Sequence, residues 1–410
     1  MVPNGWSKKK LGQILPQPYK NGIYKSADLY GSGTEILRIN DFNNEGEVTS
    51  GQLSLVQLSE SEVRGYVLNK GDVVVNRVNS LTHLGKSVLW SDDSSPVYES
   101  NMMRIQVEGA DITPEFLARV LQSKPSRTFF QRVAKRAVAQ ASISQQDVKS
   151  LPILLPPVAE QRKIAKILAS WDKAIATTEC LIANSQQQKK ALMQQLLTGK
   201  KRFAGFEGEW SYKTINEIAT RIQRKSDGED HPVLTISSLS GFVTQADKYS
   251  RYMAGESVKN YTLLKQGEFA YNKGNSKTYQ FGCIFDLEGF ETGLVPHVYV
   301  CFKLNEGLSH RYFKYLFEAD YLKPQLGALV NTGVRNNGLL NIKPAEFMNT
   351  KVPVPCFDEQ ERIADVLHAA SEELKALNSK LEHLKQEKQA LMQQLLTGKR
   401  RVVVDDPEAT

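Results

Sequence analysis

Two short stretches of this sequence carry the side chains best suited to reading a nucleic acid. The first offers Asn76, Arg77, Asn79, Ser80, Thr82, His83 and Lys86; the second offers Asn272, Lys273, Asn275, Lys277, Tyr279 and Gln280. Arg and Lys match the acceptors of guanine, and Asn and Gln match the donor and acceptor of adenine, so this mixture fits base edges in a major groove. Each stretch follows a glycine and a strand-like run, residues 72–77 after Gly71 and residues 268–273 after Gly267, at an offset of 196. Each ends at a second glycine, Gly85 or Gly282, where strand character resumes. A solvated hairpin has a similar composition; the matched position in both halves is what favours a shared function. Phosphate-binding charge is available from Lys124, Arg127, Arg132, Lys135 and Arg136 in one half, and from Arg221, Arg224, Lys225 and Arg335 in the other.

Catalytic patterns do not assemble. Gly85-Lys86-Ser87 supplies the end of a phosphate-cradling loop, but Ser80 stands where its first glycine is required. The only adjacent prolines, Pro156 and Pro157, sit between Leu155 and Val158, so the Asn-Pro-Pro-aromatic pocket that grips a flipped base is missing. No carboxylates cluster beside a lysine on a strand as a metal-dependent nuclease needs. The six histidines lack the spacing of a zinc-binding helix, and Cys180, Cys283, Cys301 and Cys356 form no CxxC pair.

The elements that must position the two stretches come in duplicate. Residues 191–200 read ALMQQLLTGK, and residues 390–399 repeat all ten letters at an offset of 199. The same offset maps Glu160-Gln161 onto Glu359-Gln360 and Leu168 onto Leu367. In the second copy Ile363, Leu367, Ala370, Leu374, Leu377, Leu381, Leu384, Lys388, Leu391 and Leu395 recur at alternating spacings of four and three, a coiled-coil seam. The first copy keeps that register at Ile164, Leu168, Trp171, Ile175, Thr178, Ile182, Ser185, Lys189, Leu192 and Leu196. Pro156-Pro157 before the first helix, an Asp358/Glu361 capping box on the second, and Gly199 and Gly398 as terminal caps bound rods of roughly 60 Å. Two such helices in one chain can pair with each other, giving the chain an internal two-fold.

At 410 residues the chain has room for two or more domains with their own cores. Its 52 basic and 45 acidic residues leave a net charge of +7, which suits a polyanionic partner better than an acidic substrate site. The spacing-free cysteines fit a reducing compartment, no run of eighteen apolar residues occurs, and the opening MVPNGWSKKK lacks a signal-peptide core. These features predict a cytoplasmic protein with no membrane partner.

The segments EQRKIAKIL and EQERIADVL with their shared ALMQQLLTGK ends, the paired GW and EW openings near residues 5 and 209, and the Pro-rich entries to the helices resemble the specificity subunit of type I restriction-modification systems. The resemblance implies an α+β architecture: two mixed α/β target recognition domains separated by two long antiparallel helices, with pseudo-two-fold duplication. The expected boundaries are 1–155 and 203–354 for the recognition domains, with 156–202 and 355–410 for the helices. It implies a non-catalytic reader of a bipartite site on double-stranded DNA that docks two methyltransferase subunits and restriction subunits. S-adenosylmethionine, ATP and Mg are then expected in those partners, with no cofactor or metal bound by this chain. The DNA contacts expected are Asn76, Arg77, Asn79, Thr82, His83, Lys86, Asn272, Lys273, Asn275, Lys277, Tyr279 and Arg335, with partner docking at Leu192, Leu196, Leu391 and Leu395. Two other readings are a self-contained DNA-modifying enzyme and a coiled-coil scaffold with protein-binding heads.

Overall fold

The computed structural model of the protein describes residues 2–16, 19–107, 111–138, 140–248, 255–274, 276–330 and 340–404. It is a mixed α/β chain with two long helices, Val158–Leu196 and Phe357–Leu396. The chain divides into two compact units, Met1–Glu179 with Lys380–Thr410, and Cys180–Ser379. Both long helices cross that division, so each unit holds the start of one and the end of the other.

The first unit is built on a four-stranded antiparallel sheet in the order Tyr19–Asn21, Met102–Ile105, Val73–Asn76, Ser87–Leu89. Val73 and Val75 point to one core with Phe116, Leu117 and Ile164, whereas Val74 points to another with Phe42, Val88 and Tyr98, as alternation along a strand requires. A second pairing joins Ser7–Lys10 to Pro152–Leu155 and delivers the chain into the first long helix. The second unit repeats this plan. Its sheet runs Ala219–Ile222, Val300–Leu304, Phe269–Asn272, Cys283–Asp286, and Ser211–Thr214 pairs with Lys351–Val354. Helices Pro114–Gln122 and His310–Glu318 occupy matching places in the two orders.

The helical seam is realised position by position. In the first long helix Ile164, Leu168, Ile175, Thr178, Ile182 and Leu196 are buried, and Trp171, Ser185, Lys189 and Leu192 are half-buried. In the second, Ile363, Leu367 and Leu395 are buried and the seven seam positions between them half-buried. Thr178 is tolerated there because its hydroxyl donates to the Ala174 carbonyl at 2.8 Å. Within the first unit Ile164 and Leu168 share a core with Leu395 and Leu396, Asp172 pairs with Lys388, and Glu179 pairs with Lys385 at 2.8 Å. Numbers rise on one segment as they fall on the other, so the two run antiparallel in this unit. Within the second, Met193, Leu196 and Leu197 share a core with Ile363, Ala364 and Leu367. Gly199 and Gly398 both stand at φ 68°, the left-handed cap that ends each helix. The capping box is not formed as the sequence suggests: the second helix already begins at Phe357, which puts Asp358 inside its first turn, and Glu361 is drawn to Arg311 at 2.7 Å.

Candidate nucleic-acid interface

In the first unit the reading stretch leaves the sheet at Asn76 and returns at Lys86. The Asn76 amide donates to the Lys86 carbonyl at 2.7 Å, and the Gly85 amide donates to the Asn76 carbonyl at 2.9 Å, which closes the loop at its base. Helix Lys124–Val133 clamps the loop from the side. Arg127 donates to the carbonyls of Leu84 (3.1 Å) and Thr82 (2.7 Å), and Gln131 to that of Leu81 (3.2 Å). Arg127 is therefore spent on the loop backbone rather than offered to phosphate.

This arrangement sorts the expected contacts. Asn76 is fully buried and Lys86 nearly so. The Lys86 ammonium donates to the carbonyls of Ile39 and Phe42 and lies 4.3 Å from the Phe42 ring centre, and burial holds its pKa below the usual lysine range. These two hydrogen bonds pin the 39–42 turn, so neither Lys86 nor Asn76 reaches a base edge in this structure. Arg77 is half-buried and donates to the Ser100 carbonyl at 3.2 Å. Asn79 turns its side-chain oxygen back to the Ser80 amide at 2.7 Å. Thr82 and His83 are exposed, with His83 Nδ1 3.2 Å from Asn44 Oδ1.

In the second unit Asn272 accepts from the Gly274 amide at 2.9 Å, and Lys273 donates to the Ile342 carbonyl at 3.3 Å. Lys277 is exposed. Tyr279 is not available to stack on a base: it is buried in the core with Cys283 and Leu287, and its hydroxyl donates to the Glu318 carbonyl at 3.3 Å. Burial pushes its pKa up to about 12. Asn275 and Arg335 lie outside the described residues.

The leucines of the repeat face inward. Leu196 and Leu395 are buried in the cores of their own units, and Leu192 and Leu391 pack against those cores, because both helix ends need an apolar seat. What the repeat turns outward is Gln194, Gln195 and Lys200 in one copy and Gln393, Gln394 and Lys399 in the other.

A second duplicated feature surrounds the Glu-Gln pair that opens each helix. Glu160 accepts from Trp6 Nε1 at 3.2 Å and is gripped by the Arg401 guanidinium, with Nε at 2.9 Å. Glu359 accepts from Trp210 Nε1 at 2.9 Å and from Arg202 through two bonds of 2.8 Å. Gln161 accepts from the Thr113 amide and Gln360 from the Ser309 amide, at 2.8 and 2.9 Å. Thr113 and Ser309 are the N-caps of the matching helices Pro114–Gln122 and His310–Glu318, so each Gln ties a long helix to the globular part of its unit. Sequence reasoning paired the Glu-Gln motifs but missed the arginines, although Arg202 and Arg401 obey the same offset of 199.

A hairpin was likewise not legible in the sequence. Lys135–Arg136 pairs antiparallel with Ala141–Ser142, and Ala141 and Ser142 pair in turn with Asn79 and Val78, so a third strand is stitched to the reading loop. The strands are only two residues long, too short to show as an alternating pattern.

Comparison with known proteins addresses this geometry. Residues 3–184 match the family described as the type I restriction modification DNA specificity domain. A putative type I restriction enzyme MjaX specificity subunit from Methanocaldococcus jannaschii is 25% identical over 98% of this chain and 95% of its own length. The chain is thus similar along nearly its whole length to a type I restriction enzyme specificity subunit. The EcoKI specificity subunit of Escherichia coli is 29% identical across 49% of this chain and 43% of that protein. Two solved structures share the fold: the HsdS subunit from Thermoanaerobacter tengcongensis, with TM-score 0.51, 17% identity and coverage of 97% and 98%, and the S subunit from M. genitalium, with TM-score 0.58, 15% identity and coverage of 96% of each chain. The matched family is described as a DNA specificity domain, and the relatives named here are specificity subunits of type I restriction enzymes. No helix among the described residues is long and apolar enough to cross a membrane.

Proposed function

We propose that the chain reads a split site on double-stranded DNA, one half with each unit, and that the paired long helices set the gap between the halves. The observation that carries this reading is the duplicated plan: the same strand order, the same glycine-bounded loop leaving the third strand, and the same Trp-Glu-Arg clamp in both units. In this reading residues 1–155 and 203–354 are target recognition domains, and residues 156–202 and 355–410 the spacer.

Asn79, Thr82 and His83 on the first loop and Lys277 on the second are assigned to base contacts, while Arg77 and Lys273 hold their loops in place. Two methyltransferase subunits dock, one beside each outward glutamine pair of the repeat, and restriction subunits join that assembly for cleavage. S-adenosylmethionine, ATP and Mg belong to those partners, and the cytoplasm is the compartment.

Mapping methylated adenines in a host that carries the chain and its partners tests the reading. Two fixed half-sites with a constant gap are expected. His83→Ala should relax one half-site and Lys277→Ala the other, each by the roughly 1–3 kcal/mol that a good base contact contributes to discrimination. A single continuous target, or a variant that alters both halves together, would contradict it.

A further inference from the structure

We propose that the hairpin formed by Lys135–Arg136 and Ala141–Ser142 is a DNA-binding wing, in which Lys135 and Arg136 meet phosphates while Val138 enters the minor groove and wedges against a base step. The proposal rests on the DNA-reading function above and assigns it a second point of contact. Val138 is 109% exposed, more open than any other large apolar side chain among the described residues. An apolar β-branched residue held at a turn with nothing around it gains no stability from burial. Its neighbours are no better covered: Lys135, Arg136 and Ala137 are all exposed. The tip of the hairpin thus adds nothing to the core of its unit, which Ala141 of the second strand does join, and the Ala137 amide donates to the Gln140 carbonyl at 2.8 Å.

Charge and connection both point toward DNA. Residues 124–146 contain no acidic residue and, besides the Arg127 that holds the loop, carry Lys124, Arg132, Lys135 and Arg136. That electrostatic footprint favours a phosphate backbone. The hairpin is also not an independent appendage, since Ala141 pairs with Asn79 and the Ile143 amide donates to the Arg77 carbonyl at 2.9 Å. Whatever holds the reading loop on its half-site therefore holds the wing beside it. Exposed apolar side chains flanked by basic residues are the means by which minor-groove proteins part a base step.

The test uses the full chain in complex with its methyltransferase partner. The probe is duplex DNA carrying the mapped site, with 2-aminopurine placed in turn at each step in and beside the half-site that responds to His83→Ala. The intact complex should raise 2-aminopurine fluorescence at one step. Val138→Asp should abolish that signal and weaken binding about tenfold, whereas Val138→Leu should keep both, and neither should change which half-sites are preferred. Lys135→Ala with Arg136→Ala should reduce the slope of log affinity against log salt by about 2. Wild-type binding with no fluorescence change at any step, or Val138→Asp binding as the wild type does, would overturn the wing while leaving sequence reading intact. Absence of any sequence preference in the intact complex would overturn the underlying function and the wing with it.

Discussion

Glu160 and Glu359 occupy equivalent places but different surroundings, and the difference sets their energetic weight. Glu359 is 1% exposed and faces an Arg202 side chain that is itself only a quarter exposed. Glu160 is also buried, but the Arg401 side chain that grips it is 41% exposed and can turn to water when its partner is lost. Removing one member of an ion pair leaves the other charge uncompensated, and the loss grows as that charge is kept from water. Glu359→Ala should therefore be the more destabilising of the two, and Trp210 loses a hydrogen-bond partner as well. Glu160→Ala should cost clearly less. Urea unfolding of the two variants checks the order; equal losses, or a larger loss at Glu160, would show that solvent access of the arginine does not decide it.

At the scale of elements, Gly282, which ends the second reading stretch, shows how local geometry holds a loop. Gly282 stands at φ 90°, and a Cβ there would lie 2.5 Å from the Asn272 carbonyl oxygen and 2.6 Å from the Tyr271 ring. Gly289 has a similar φ of 77° but open space around it. Alanine at either position meets the left-handed penalty of about 1 kcal/mol. Only at Gly282 must the strand and loop also part, so Gly282→Ala should lower the melting temperature well beyond Gly289→Ala, and equal shifts would mean that the loop yields freely. The glycines, the seam and the duplicated pairs were legible because each leaves a local signature of spacing or residue type. Burial of Asn76, Lys86 and Tyr279 was not, because a polar side chain reads alike whether it faces water or a carbonyl supplied by a distant segment. Lys86 makes the point: its partners, Ile39 and Phe42, lie more than forty residues earlier. The leucines of the repeat misled for the converse reason, since an apolar stripe fits a partner and the helix's own unit equally well.

For the whole molecule, the division of both long helices between the two units changes where a spacer should be tested. An insertion after Lys189 falls inside the second unit, where Lys189 pairs with Glu318 at 2.6 Å and Met193 and Leu196 are core residues, so it would damage packing before it moved anything. The division points, after Glu179 and after Ser379, avoid both cores. Four residues added at each point lengthen each helix by about 6 Å and rotate the downstream part of the helix by about 40°. On B-DNA that rise matches about two base pairs at 3.4 Å each, and that rotation about one at 10–10.5 base pairs per turn. The gap between half-sites should therefore grow by one or two base pairs while both half-site sequences stay as they are, because the reading loops and the wing are untouched. An insertion at one point alone shifts one seam against the other and should destabilise the protein instead. Methylation mapping of the doubly inserted chain decides the matter: a gap that stays fixed in a folded, active variant would remove the helices from the role of spacer.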